Sequence, residues 1–218
     1  ILQGQDLILQ ASTGSGKTEA VLTPCLERLI ASGRSEAILY VVPTRALAQD
    51  LRRRLEPIIH ERLSLRLGIR TGVVKRLPAE RANVMLTTPE SLDVMLGTPN
   101  HDIQTFLQRV SVLIIDEVHQ FIQGYRGRHL AYLLQRLERR RRGRLQKLAL
   151  SATLAGPEVI RTVLGLQPDA VFVSSPVQRQ IQPHLVHLQR DLLHVDQAID
   201  HRDVEVLALP CPLPVEQG

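Results

Sequence analysis

Runs of consecutive apolar residues alternate along the chain with segments whose apolar positions recur every three or four residues. The stretch 6 to 10 carries Leu7, Ile8 and Leu9, and from Lys17 onward Val21, Leu22, Cys25, Leu26, Leu29 and Ile30 follow at helical spacing. Further strand-like runs cover 37 to 42, 65 to 69, 84 to 87, 110 to 115, 147 to 150 and 170 to 173. Several are apolar throughout instead of alternating, as strands covered by helices on both faces must be. The segments between them suit helical crossovers. Leu47, Leu51 and Leu55 share one face, a turn at Pro89 feeds another helix, and Leu130, Leu133, Leu134 and Leu137 share a face within 127 to 142. A last helix runs from Pro157 to near Gly165. The pattern predicts an α/β fold, a mostly parallel sheet with helices on both faces, whose ligands collect at the carboxyl ends of the strands.

The residues just after each strand therefore decide the chemistry. Between the first strand and first helix stands Ala11-Ser12-Thr13-Gly14-Ser15-Gly16-Lys17-Thr18. A strand that stops in glycines and turns directly into a helix aims several backbone N–H groups, and the positive end of a helix dipole, at one point. An anion belongs there. Thr13, Gly14, Ser15 and Gly16 form the loop, Lys17 supplies a point charge for β and γ phosphates, and the Thr18 hydroxyl is placed to ligate magnesium. Ala11 stands where the usual GxxxxGK[ST] pattern has its first glycine.

The fifth strand runs into Asp116-Glu117-Val118-His119. A carboxylate at the end of a strand neighbouring the phosphate loop holds magnesium, and a second one beside it orients and deprotonates the attacking water; Asp116 and Glu117 take these catalytic roles with Lys17. His119, and the hydroxyls of Ser151 and Thr153 after the next strand, suit hydrogen-bonded coupling along the edge. Elsewhere on that edge come Pro43, Thr44 and Arg45, then Gly72, then Thr88, Pro89 and Glu90. Three strand ends that present hydroxyls and free N–H groups make a track for a sugar-phosphate backbone.

Charge and composition narrow the partner. The net charge is +5 and the pI about 9.8, compatible with a polyanion. Aromatic residues make up 3% with no Trp, which argues against a base-stacking platform and for phosphate contacts with low sequence preference. The run Arg139 to Arg142 ends a helix that must finish at the opposite edge, where cations suit a helix C-terminus. Cys25 and Cys211 are isolated, as in a reducing, intracellular and hence cytoplasmic setting. No apolar stretch approaches the roughly 20 residues of a membrane span, and no secretory signal opens the chain, which begins one step before a strand as a truncated start would. Residues 176 to 218, with five prolines, read as a linker after a domain at 1 to 175. His184 and His187 lack ligand neighbours at metal spacing.

Taken together these motifs resemble those of superfamily 2 DEAD/DEAH-box-like helicases. Residues 11 to 18 look like motif I, Pro43 to Leu47 like motif Ia, Thr88-Pro89-Glu90 like motif Ib, the DEVH at 116 to 119 like motif II, and Ser151-Ala152-Thr153 like motif III. Thr87 to Leu92, and Arg126-Gly127 with His129-Leu130, are most similar to the large helicase-related branch. The resemblance implies a RecA-like P-loop NTPase lobe that uses ATP and Mg2+ on DNA or RNA, with a second arginine-bearing lobe and an adenine-holding segment beyond these residues. Other classes open to a phosphate loop are a different P-loop ATPase, and a nonenzymatic nucleotide-sensing or scaffold module derived from a helicase lobe.

Overall fold

A computed structural model describes residues 1 to 72, 74 to 76, 81 to 122, 124 to 141, 143 to 153 and 156 to 175. The proline-rich stretch 176 to 218, with His184, His187 and Cys211, lies outside the described residues. In chain order the elements are β1 (Leu7–Gln10), α1 (Lys17–Ala31), β2 (Ala37–Val41), α2 (Arg45–Glu56), β3 (Leu67–Thr71), β4 (Val74–Arg76) and β5 (Val84–Thr87). They continue as α3 (Pro89–Gly97), α4 (His101–Arg109), β6 (Val110–Ile115), α5 (Gly124–Arg140), β7 (Gln146–Ser151), α6 (Pro157–Leu164) and β8 (Val171–Ser174). One sheet holds all the strands in the order β4-β3-β5-β2-β6-β7-β1-β8. Every pairing is parallel except β3 with β4, which is antiparallel.

Successive side chains of a strand face opposite ways, and here that splits the core into two layers. Ala37, Leu39 and Val41 of β2 pack with Leu92, Phe106, Leu130, Leu134 and Ile160, so α3 to α6 cover one face. Ile38, Tyr40 and Val42 pack with Val21, Leu22, Leu26, Ala48 and Leu51, so α1 and α2 cover the other. Helices on both faces are the expected architecture, and β2 and β6 are buried along their whole length. β8 departs from it: all four of its residues are exposed, although Val171, Phe172 and Val173 are as apolar as a central strand.

Three expectations shift. The apolar run at 65 to 69 is not the strand itself; β3 starts at Leu67, because Ser64 turns at φ 52° and the Leu65 N–H bonds the Ile59 carbonyl while its side chain fills the core. The helix expected over 127 to 142 begins at Gly124. β6 does not neighbour the strand that carries the phosphate loop; β7 lies between them.

At the opposite edge Asp6, fully buried, holds the roots of three segments. Its carboxylate accepts the Lys147 and Gln167 N–H groups, each at 2.9 Å, and its carbonyl accepts the Val171 N–H. Lys147, also buried, caps α6 by donating to the carbonyls of Leu164 (2.9 Å) and Gly165 (2.7 Å) and pairs with Glu138. Arg140 at the end of α5 bonds Gln104 of α4 at 2.8 Å, so this part of the arginine run serves helix packing. Among the described residues no helix is long and apolar enough to cross a membrane.

Candidate nucleotide and nucleic-acid edge

The phosphate loop leaves β1 and enters α1 through two left-handed glycines, Gly14 (φ 70°) and Gly16 (φ 84°), the second standing at the helix N-cap. Residues with a Cβ rarely adopt such angles, so these two positions demand glycine. Ala11 makes no such demand, since it is absent from the left-handed residues, and its small side chain is buried. Lys17 is buried and donates to the carbonyls of Ala11 (2.5 Å) and Ser12 (3.0 Å), which sets its ammonium against the loop.

Asp116 and Glu117 follow β6. The Asp116 carboxylate accepts the Glu117 N–H at 2.9 Å through Oδ1 and the Tyr40 hydroxyl at 2.9 Å through Oδ2. Burial pushes its carboxyl up and the Glu117 charge adds to that rise, while the Tyr40 bond, the Glu117 N–H and the Lys17 charge oppose it. Tyr40 is fully buried, and burial followed by the Asp116 charge holds its phenol well above the ordinary value, so it remains a donor. Thr18, beside it, opposes that rise.

Glu117 sits at φ 47° and ψ 45°, a left-handed backbone without glycine. Such a conformation costs about 1 to 2 kcal/mol, and strain of this kind collects at functional turns. Its Oε2 is buried without a hydrogen-bond partner. His119 Nδ1 lies 3.3 Å away, but its hydrogen bond goes to Ser151 Oγ at 3.0 Å. Ser151 spends its single hydroxyl proton on the Thr153 carbonyl at 2.5 Å, so Nδ1 of His119 is the donor to Ser151. The Ser151 carbonyl in turn accepts the Ala11 N–H at 3.1 Å. Because β7 stands between β1 and β6, one serine touches the start of the phosphate loop with its backbone and the DEVH turn with its side chain.

The second half of the edge follows β2, β3 and β5. Thr44 caps α2 by accepting the Leu47 N–H at 3.2 Å, and Thr88 caps α3 by accepting the Ser91 N–H at 3.4 Å. Gly72 turns at φ 49°, its N–H donates to Ser91 Oγ at 2.8 Å, and a Cβ placed on it would stand 2.7 Å from an Arg45 guanidinium nitrogen. Arg45, Gly72, Thr88 and Ser91 therefore form one cluster, in which the N–H groups of Gly72, Leu47 and Ser91 already have partners. Pro89 is buried in the first turn of α3, and exposed Glu90 lies 3.9 Å from Arg126.

The sequence profile of the DEAD/DEAH box helicases matches residues 1 to 162. The chain belongs to the DEAD/DEAH box helicase family. Among curated members it is 32% identical to the Lhr helicase/uracil glycosylase of Escherichia coli K12, over 84% of this chain and 14% of that protein. It is 30% identical to the ATP-dependent helicase Lhr-Core protein 2 of Thermococcus barophilus, over 91% of this chain and 26% of that one. The solved Mycobacterium smegmatis helicase Lhr, bound to ssDNA and AMP-PNP, superposes with a TM-score of 0.68 at 34% identity, over 80% of this chain and 24% of that one. The chain thus spans about a quarter or less of these helicases.

Two residues of this helicase lobe matter more than their sequence context suggests. Tyr40 sits in an otherwise apolar strand, and its one signal is a phenol where every neighbour is hydrocarbon. Gly127 packs against the backbone just after the DEVH segment: a Cβ there would stand 2.8 Å from the Ile122 carbonyl and 2.9 Å from that of Phe121.

Proposed function

We propose that residues 1 to 175 form the first RecA-like, ATP-binding lobe of an ATP-dependent DNA or RNA helicase or translocase, followed by a linker at 176 to 218 and closed by a second lobe. The observation that carries this reading is Ser151, which ties the Ala11 end of the phosphate loop to His119 beside Glu117. A nucleotide bound at one strand end is thereby mechanically joined to an edge that also holds the Arg45, Gly72 and Ser91 cluster.

The residues suit magnesium nucleotide. The loop from Thr13 to Thr18 offers backbone N–H groups and a helix N-terminus for phosphates, with Lys17 as the charge. Thr18 and Asp116 supply hard oxygen donors, the usual complement for a cation that shares its remaining positions with phosphate and water. Among the described residues there is no group of three or more His, Cys, Asp and Glu, which such a site does not need. Magnesium, when bound, neutralises charge on the β and γ phosphates. Glu117 holds the attacking water and takes its proton. Arg45, with the α2 and α3 N-termini at Thr44 and Thr88 and the Gly72 turn, grips one strand's backbone through its phosphates.

The test is the ATPase rate of the full-length protein with and without single-stranded DNA or RNA. Stimulation by one polymer fixes the substrate class. Strand separation by residues 1 to 175 alone would overturn the two-lobe requirement.

A further inference from the structure

Tyr40 does not belong to any of the motifs that carry the family resemblance. It nevertheless lies at the point where two of them meet. It is the fourth residue of β2, on the face covered by α1, and the first turn of α1 brings Thr18 to it. From the neighbouring strand β6, Asp116 reaches the same hydroxyl at 2.9 Å. A buried phenol without partners costs about 1 to 3 kcal/mol, so phenylalanine would serve the core better if packing were the only demand. The hydroxyl is there for what it binds.

A phenol has one proton to give and lone pairs to accept with. The proton goes to Asp116 Oδ2, so the phenol oxygen presents only lone pairs to the neighbouring Thr18 hydroxyl. This polarity has a chemical consequence. A Thr18 hydroxyl that gives its proton to those lone pairs turns its own away from Tyr40, and a hydroxyl in that orientation is a cation ligand. Asp116, with Oδ1 on the Glu117 N–H and Oδ2 on Tyr40, is held in one rotamer while each oxygen keeps a second lone pair.

We propose that Tyr40 is a positioning residue that links Thr18 to Asp116 and sets both for the divalent cation accompanying the nucleotide. The role rests on the magnesium nucleotide site proposed above and adds to it a residue from β2. The link acts on the cation and leaves the loop N–H groups and Lys17, which hold the phosphates, untouched.

The experiment measures the affinity of the full-length protein for a fluorescent ATP analogue across a magnesium titration and in EDTA. Tyr40→Phe keeps the ring and its packing. The expected result is a rise of about threefold to tenfold in the magnesium concentration at half saturation, the effect of one net hydrogen bond, with affinity in EDTA unchanged. In an Asp116→Ala background, which leaves the Tyr40 hydroxyl without its acceptor, Tyr40→Phe should add little. Equal loss in magnesium and in EDTA, no change in either, or full additivity with Asp116→Ala overturns the inference and leaves the nucleotide site standing. A parent protein whose nucleotide binding ignores magnesium overturns both.

Discussion

The two halves of the strand-end edge are built in opposite ways. Around the phosphate loop the candidate side chains bond mainly to one another: Tyr40 to Asp116 and His119 to Ser151, with Glu117 held in a left-handed turn. Around Arg45 and Gly72 the hydroxyls are spent on helix caps, and Arg45 itself is exposed. A preorganised polar network suits chemistry, where a misplaced group loses rate steeply. Capped helix ends with an exposed cation suit a polymer that must be gripped and released.

The contrast predicts where substitutions bite. Glu117→Gln should lower ATP turnover of the full-length protein by about a hundredfold to ten-thousandfold, with nucleotide affinity retained, as removal of a general base does. Comparable turnover in the variant would break the assignment of the proton acceptor. Gly72→Ala places a Cβ against the Arg45 guanidinium and asks alanine to hold φ 49°. It should weaken single-strand binding, read by fluorescence anisotropy, by about tenfold, since displacing one phosphate contact costs a charge-assisted hydrogen bond. ATP affinity should stay unchanged; a matching loss there would show that the two halves are not separable.

Thr44→Ala and Thr88→Ala test the caps. Each should cost about 1 kcal/mol of stability by denaturant titration, typical of a lost N-cap. The smallest effect is expected at Asp93, which ties α3 to α5 through Arg136 and His129 (3.3 Å). The Arg136 hydrogen bond chiefly, with His129 aiding, holds its carboxyl below the ordinary range. A lowered folded value means the tie contributes stability above the ordinary carboxylate pKa and loses it as pH falls through the folded one. The Asp93 side chain is 45% accessible, so Asp93→Asn should cost less than about 1 kcal/mol near neutrality, and the difference should vanish in acid.

Motifs that are local in the chain are legible in the sequence alone. Gly14, Gly16, Lys17 and Thr18 lie within five positions, and Asp116 and Glu117 close an unbroken apolar run, so pattern by itself places them at strand ends. Topology is not local: nothing along the chain says that β7 is inserted between β1 and β6, the fact that gives Ser151 its two contacts. β4 has three residues, too short to stand out by periodicity. Leu65 misleads because an apolar residue in a turn reads like the start of a strand. Tyr40 is invisible to periodicity because one polar atom in an apolar strand has no pattern at all.

The exposed strand β8 has a practical side. Val171, Phe172 and Val173 are each more than a third accessible, and among the described residues β8 pairs only with β1. An open, apolar edge is a template for strand addition between molecules. Purified at high concentration as residues 1 to 175, the lobe should self-associate along that edge, so dilution and a charged substitution such as Phe172→Lys will do more for its solubility than cooling.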